Sequence, residues 1–291
     1  MHLVTIVVST DGSERSLHVL PHAARLARAM DEPLALLRVL DPRVDCASEL
    51  VPSLREATRL VSARWKQELQ ATLEANGVRG EALVPVRLHG EEIHDAVIGG
   101  AAEAGASIIA IDTRGGGMLR HALLGSVAMG IIGHTQLPVM LTGPEVDSPT
   151  IGNPYHLFVT SDGSTAAAAV IPVIAPIVAA ARARVTLWTA YIPRTGDISS
   201  EVELGLAHDQ LRKMAEGLPP GTTVDIQVEK GQWPGGVAGR AVERALASGA
   251  TALAISSHGH SARYHLLAGS VALDIVNRSP LPVIMSRARP S

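Results

Sequence analysis

From its first residues the chain alternates short apolar runs with longer stretches of helical periodicity. In the first half, strand-like runs fall near 3–9, 34–40, 82–88, 107–112 and 137–142, and helical patterns near 14–30, 48–76, 91–104 and 125–134. The second helix is the clearest. Leu54, Val61, Trp65, Leu69 and Leu73 keep roughly helical spacing, and Gly77 stands where a C-terminal glycine ends a helix. The second half repeats the order, with strands expected near 156–160, 185–191, 223–229, 251–256 and 281–286. This alternation predicts an α/β fold, a doubly wound parallel sheet with helices on both faces. In such sheets ligands sit at the carboxyl ends of the strands, where the strand order reverses.

The two halves are copies. Gly105-Ala-Ser-Ile-Ile-Ala-Ile-Asp112-Thr-Arg-Gly115 recurs as Gly249-Ala-Thr-Ala-Leu-Ala-Ile-Ser256-Ser-His-Gly259, and Leu123-Leu-Gly125-Ser126-Val127-Ala128 as Leu267-Ala-Gly269-Ser270-Val271-Ala272. Leu137-Pro138-Val139 recurs as Leu281-Pro282-Val283, all at one offset of 144 without a gap. Near the other end Asp11-Gly12-Ser13 recurs as Asp162-Gly163-Ser164, each followed by a proline, Pro21 and Pro172. The join lies in the Pro- and Gly-rich stretch from Gly143 to Pro154, which has no periodicity. Two domains are expected, over 1–145 and 152–291.

Composition narrows the partners. A chain of 291 residues with 46% hydrophobic content suffices for two cores, and the scarcity of aromatics leaves those cores to Val, Ile, Leu and Ala. Net charge is −3 with no Lys/Arg block, which argues against nucleic acid. The single cysteine, Cys46, has no internal disulfide partner and fits a reducing compartment. Leu3–Val8 reads as a first strand rather than a leader, and no apolar segment approaches membrane-spanning length. A cytoplasmic location without membrane contact is the expectation.

Three elements carry chemistry in each half. They are the turn Ser9-Thr10-Asp11-Gly12-Ser13, the loop Asp112-Thr-Arg114-Gly115-Gly116-Gly117, and the helix opening Gly125-Ser126-Val127. Glycines admit a ligand close to the backbone, and a helix N-terminus offers N–H groups and partial positive charge to phosphate. The set describes an anion cradle, not a hydrolytic triad. Nine residues separate Gly115 from Gly125-Ser126, and nine separate Gly259 from Gly269-Ser270.

This spacing resembles the G-x-x-G-x9-G-S/T nucleotide motif of the universal stress protein family, and the order of surrounding elements matches it in both halves. The resemblance implies two Rossmann-like sheets in tandem, of the adenine nucleotide alpha hydrolase-like type with strand order 3-2-1-4-5, pairing through the last strand of each domain as an intrachain pseudo-dimer. It also implies further homodimerisation and a stress-response regulator that binds ATP, alone or with Mg2+, without being an enzyme. Carried onto this chain, Asp11 and Asp162 face the adenine side, and Val39 and its counterpart Ala190 lie against the base. Gly115, Gly116 and Gly117 with Gly125, Ser126 and Val127 hold ribose and phosphates, as do Gly259, Gly269, Ser270 and Val271. His121 and His265 share one repeated position near phosphate.

The chain departs from the motif at its first glycine, which is Asp112 in one half and Ser256 in the other. Asp112 either accepts from ribose hydroxyls, as acidic residues do in dinucleotide sites, or repels phosphate, with Arg114 two residues on to offset it. Ser256 brings no charge, and His258 lies nearby. Two other readings stay open: a nucleotide-free interaction module of the same fold, and a slow ATP or adenylate hydrolase. The hydrolase lacks a positioned base and metal carboxylates beyond Asp112. His258, His260 and His265 have no Cys or carboxylate companion, so no metal site is expected.

Overall fold

The structure is a computed structural model that describes residues 5–113, 124–147, 154–192, 200–257 and 269–287. Nearly all of the chain divides into two compact units between Met140 and Leu141.

The first half runs β1 (Thr5–Ser9), a 3-10 turn (Arg15–Leu17), α1 (Leu20–Met30), β2 (Leu34–Leu37), α2 (Pro42–Asp45) and α3 (Leu54–Ala75). It continues with β3 (Gly80–Leu83), α4 (Ile93–Glu103), β4 (Ala106–Asp112), α5 (Ser126–His134) and β5 (Val139–Thr142). Its strands lie in the order β3-β2-β1-β4-β5, with β1 parallel to β2 and β4, and β2 parallel to β3. Ile6, Val7 and Val8 of β1 and all four residues of β2 are fully buried, the continuous apolar run that a strand covered on both faces requires.

The second half repeats the plan. It comprises β6 (His156–Ser161), α6 (Thr165–Ala168), α7 (Val170–Ala181), β7 (Arg184–Tyr191), α8 (Ser200–Glu216), β8 (Val224–Lys230), α9 (Gly236–Ala247), β9 (Ala252–Ser256), α10 (Ser270–Arg278) and β10 (Val283–Ser286). The order β8-β7-β6-β9-β10 is again 3-2-1-4-5 in domain terms. In each half the order reverses beside the first strand, between β1 and β4 and between β6 and β9. That is where a crevice opens at the carboxyl ends.

Local chemistry explains where the elements depart from the apolar pattern. The helix expected from 48 begins at Leu54, because Pro52 precedes it and the Ser53 hydroxyl caps it by accepting from the Glu56 N–H at 3.2 Å. Leu54 is therefore a first-turn residue and exposed, while Val61, Trp65, Leu69 and Leu73 form the buried stripe. At the other end Gly77 has φ +62, and Val78 N–H reaches Leu73 O at 2.9 Å, the left-handed close read from the sequence. The first helix is shorter than its pattern, since the chain makes a 3-10 turn before α1. The third strand lies earlier than expected. Pro85 has no N–H to donate, and past Leu83 only a bridge between Leu40 and Val86 persists.

His156 opens β6 in the core of the second half. Its N–H donates to Thr251 Oγ1 at 3.0 Å, and its Nε2 lies 2.9 Å from Thr186 Oγ1. Burial, reinforced by the nearby Arg184 charge, holds the imidazole below its ordinary value. The folded chain thus keeps His156 neutral where the unfolded chain takes up a proton, so stability is lost as pH falls below about 6.5. Urea midpoints between pH 7.5 and 5 should fall, this residue adding at most about 1.4 kcal/mol per pH unit. His156→Gln, which retains a partner for Thr186, should flatten that slope.

Gly130 of α5 faces the ring of His94 from α4, and a Cβ there would collide with the imidazole. Removing a helical glycine normally gains about 1 kcal/mol, whereas overpacking costs about 1–3 kcal/mol. Gly130→Ala should therefore destabilise, while Gly99→Ala, exposed on α4 with nothing within 4 Å, should stabilise by about 0.5–1 kcal/mol. Denaturant unfolding of the two variants distinguishes the signs.

Candidate functional site

The turn leaving β1 builds one wall of the crevice. Thr10 N–H reaches Leu37 O on β2 at 2.9 Å, Gly12 N–H reaches Thr10 Oγ1 at 3.0 Å, and Ser13 N–H reaches Asp11 Oδ1 at 2.9 Å. Gly12 has φ +88, a conformation that favours glycine. The second half reproduces the two bonds within the turn. Gly163 N–H donates to Ser161 Oγ at 3.1 Å and Ser164 N–H to Asp162 Oδ1 at 3.0 Å, with Gly163 at φ +78. Asp11 and Asp162 are exposed at the turn, each with one carboxylate oxygen engaged in holding it.

Behind each turn lies a different side chain. A Cβ on Gly12 would stand 2.6 Å from the Arg38 guanidinium, which stacks 3.5 Å from the Trp65 ring centroid on its other side. In the second half the group against Gly163 is Gln210 of α8.

The opposite wall is the end of the fourth strand and the start of the last helix. Gly125 N–H donates to Thr113 O at 2.7 Å, and Gly269 N–H donates to Ser257 O at the same distance. Both glycines have extended backbone, φ −64 and −66 with ψ 152, and neither helix carries a side-chain cap. The first turns of α5 and α10, nine residues each, therefore present backbone N–H groups at a positive dipole end. Ser126 and Ser270 are exposed there, with Val127 half-buried and Val271 exposed. A Cβ on Gly125 would lie 3.1 Å from Thr113 O, and one on Gly269 3.7 Å from Ser257 O, so the first copy is the tighter.

Val39 and Ala190 occupy equivalent positions and are half-buried, Val39 just beyond the end of β2 and Ala190 within β7. Asp112 and Ser256 are the last residues of β4 and β9, both buried. Arg114, Gly115, Gly116, Gly117, His121, His258, Gly259 and His265 lie outside the described residues. Among the described residues no three His, Cys, Asp or Glu side chains gather as a metal would require, and no helix is long and apolar enough to cross a membrane.

Several contributors were not singled out from sequence. The hydroxyls of Thr10 and Ser161 hold the Asp-Gly turns. Thr113 is fully buried, and its Oγ1 has no partner among the described residues; the expected site residue Ser256 is buried with its Oγ in the same condition. The repeat of Thr113 as Ser257 was the available signal; Arg38 gave none, because only the fold brings it to Gly12.

The model of the universal stress protein family matches the chain twice, over residues 4–143 and 156–287. No curated relative matches. Among solved structures, a universal stress protein from Archaeoglobus fulgidus aligns over 99% of this chain and 100% of its own, at 19% identity and a TM-score of 0.68. A functionally unknown protein from Pseudomonas aeruginosa aligns over 98% and 93%, at 15% identity and a TM-score of 0.60. A universal stress protein in complex with cAMP matches 47% of this chain and 100% of its own, at 20% identity and a TM-score of 0.37. The two full-length matches speak for the fold, and the double family match for kinship: the chain belongs to the universal stress protein family, as two consecutive copies of its domain.

Proposed function

We propose that the chain binds an adenine nucleotide, ATP foremost, in at least one half, and acts as a regulator rather than a metabolic enzyme. The observation that carries this reading is the repeated crevice wall. In both halves a 2.7 Å bond fixes a glycine N–H on the strand-four carbonyl, leaving an uncapped helix N-terminus beside a positive-φ Asp-Gly turn. Phosphate suits the open N–H groups and the dipole. Buried hydroxyls without protein partners, Thr113 Oγ1 and Ser256 Oγ, favour a polar ligand nearby. Mass spectrometry of gently purified protein tests the reading directly: ATP or AMP carried with the chain is expected.

Calorimetry provides the mutational test. Gly125→Glu combined with Gly269→Glu should abolish ATP binding, since each carboxylate projects where phosphate would sit. The substitution at Gly269 meets only ordinary contact distance, so Gly269→Glu alone should remove the second site while circular dichroism stays unchanged. Full affinity in a folded double variant would exclude the site.

Hydrolysis should be slow or absent. Asp11 and Asp162 each use a carboxylate oxygen in their own turns, and Asp112 is the one further carboxylate that the sequence places at the motif as a candidate base. An ATP loss of several turnovers per second, from protein freed of contaminating ATPases, would restore the enzyme reading.

A further inference from the structure

The space behind the Asp-Gly turn is treated differently in the two halves. Behind Gly12 the Arg38 guanidinium sits over the Trp65 ring, 3.5 Å from its centroid, and its long stem covers the flank of α3. Val39 and Ala190 hold equivalent positions, so the residue at the place of Arg38 in the second half is Thr189. Thr189 is buried and has no stem to lay on the neighbouring helix. There a cleft of about 380 Å³ opens between the start of α7 and the last two turns of α8, with Gly163 and Ser164 in its wall.

Helical spacing sets the lining. Ala168, Ile171 and Pro172 on one side, and Gln210, Lys213 and Met214 on the other, recur at three and four residues and so form two facing stripes. Ile171 and Met214 are buried and make an apolar floor, with Ala168 half-buried beside them. Thr165, Gln210 and Lys213 are exposed at the rim. The Ser164 hydroxyl is committed elsewhere, donating to Asp162 Oδ1 at 2.6 Å and accepting from Ala167 N–H at 3.0 Å. Among the described residues that line the cleft, Lys213 carries the one charge. Asp209 and Glu216, a turn away on either side, line no part of it.

A ligand for this cleft needs an apolar body to cover Ile171 and Met214 and an anionic end for the ammonium. The volume is at the low end of small-molecule sites, which span roughly 300–1,000 Å³. A phosphate ester would bring up to two charges to one lysine, with Asp162 and Glu216 close by in the chain; a carboxylate brings one. We infer that the second half carries a site for a small amphipathic carboxylate, an acid with a short alkyl chain, in the cleft between α7 and α8. The chain lies on Ile171 and Met214, and the carboxylate accepts from Lys213 and from the Gln210 amide. The first half lacks the site, because Arg38 on Trp65 covers the helix behind its turn. The crevice proposed for nucleotide has α10 as its wall, so this site stands whether or not nucleotide binds.

Methyl NMR on the full chain, with hexanoate, octanoate and octanol as probes, tests the assignment. Octanoate should shift the methyl signals of Ile171 and Met214 and leave those of Val61 and Leu69 on α3 in place. Lengthening the acid from hexanoate to octanoate should tighten binding by about two- to fourfold per methylene. Lys213→Gln should weaken octanoate by about two- to fivefold, as for an exposed ion pair, and leave octanol unchanged. Ala168→Phe fills the cleft and should abolish binding of both. Thr165→Trp closes the same cleft from an exposed position and serves where Ala168→Phe does not fold. No shift at Ile171 and Met214, shifts spread evenly over both halves, or full affinity in a folded filling variant would overturn the site. Octanoate affinity unchanged in Lys213→Gln would overturn the carboxylate assignment.

Discussion

The crevice in each half depends on one short backbone bond, Gly125 N–H to Thr113 O and Gly269 N–H to Ser257 O, both 2.7 Å. The chain leaves the sheet after the fourth strand and must return to begin the last helix against the same strand end. A donor at that point faces a carbonyl whose own strand has stopped, so two groups that would otherwise be orphaned satisfy each other. Because the bond uses the glycine N–H, the helix's next N–H groups remain without a partner among the described residues. The same contact that closes the fold leaves the helix dipole end open. At Gly125 a Cβ would lie 3.1 Å from the carbonyl that the residue must bond, a tight fit that favours glycine there before any ligand is considered.

Duplication lets the architecture be separated from what each copy added. The Asp-Gly turn, its hydroxyl brace and the helix lock are the same in both halves to within 0.1 Å in their matching backbone bonds. What surrounds them is not. Arg38 on Trp65 supports one turn, and Gln210 lies against the other. The constant parts are backbone geometry, which the fold enforces, and the variable parts are side chains, which it merely positions.

The repeat, the strand–helix alternation and α3 with its glycine close were legible in the sequence, because each rests on local spacing. The start of α3 and the place of β3 were not read correctly. Apolar residues at 48–52 and 84–88 imitate the pattern of their neighbours, and Pro52 and Pro85 override it. Asp11 stands at a turn and Gly125 and Gly269 at helix starts, as their local signatures indicate. Arg38 was not singled out, because only the fold brings its guanidinium against Gly12. The His94 ring packed over Gly130 was invisible for the same reason.

The two copies hold their last helix with unequal room. A Cβ would meet the anchoring carbonyl at 3.1 Å in the first half and at an ordinary contact of 3.7 Å in the second. A backbone oxygen cannot swing aside as the tip of a flexible side chain can, so the first copy resists losing its glycine more than the second does. Sister domains that began alike are thus free to drift at different rates at the same step of the fold.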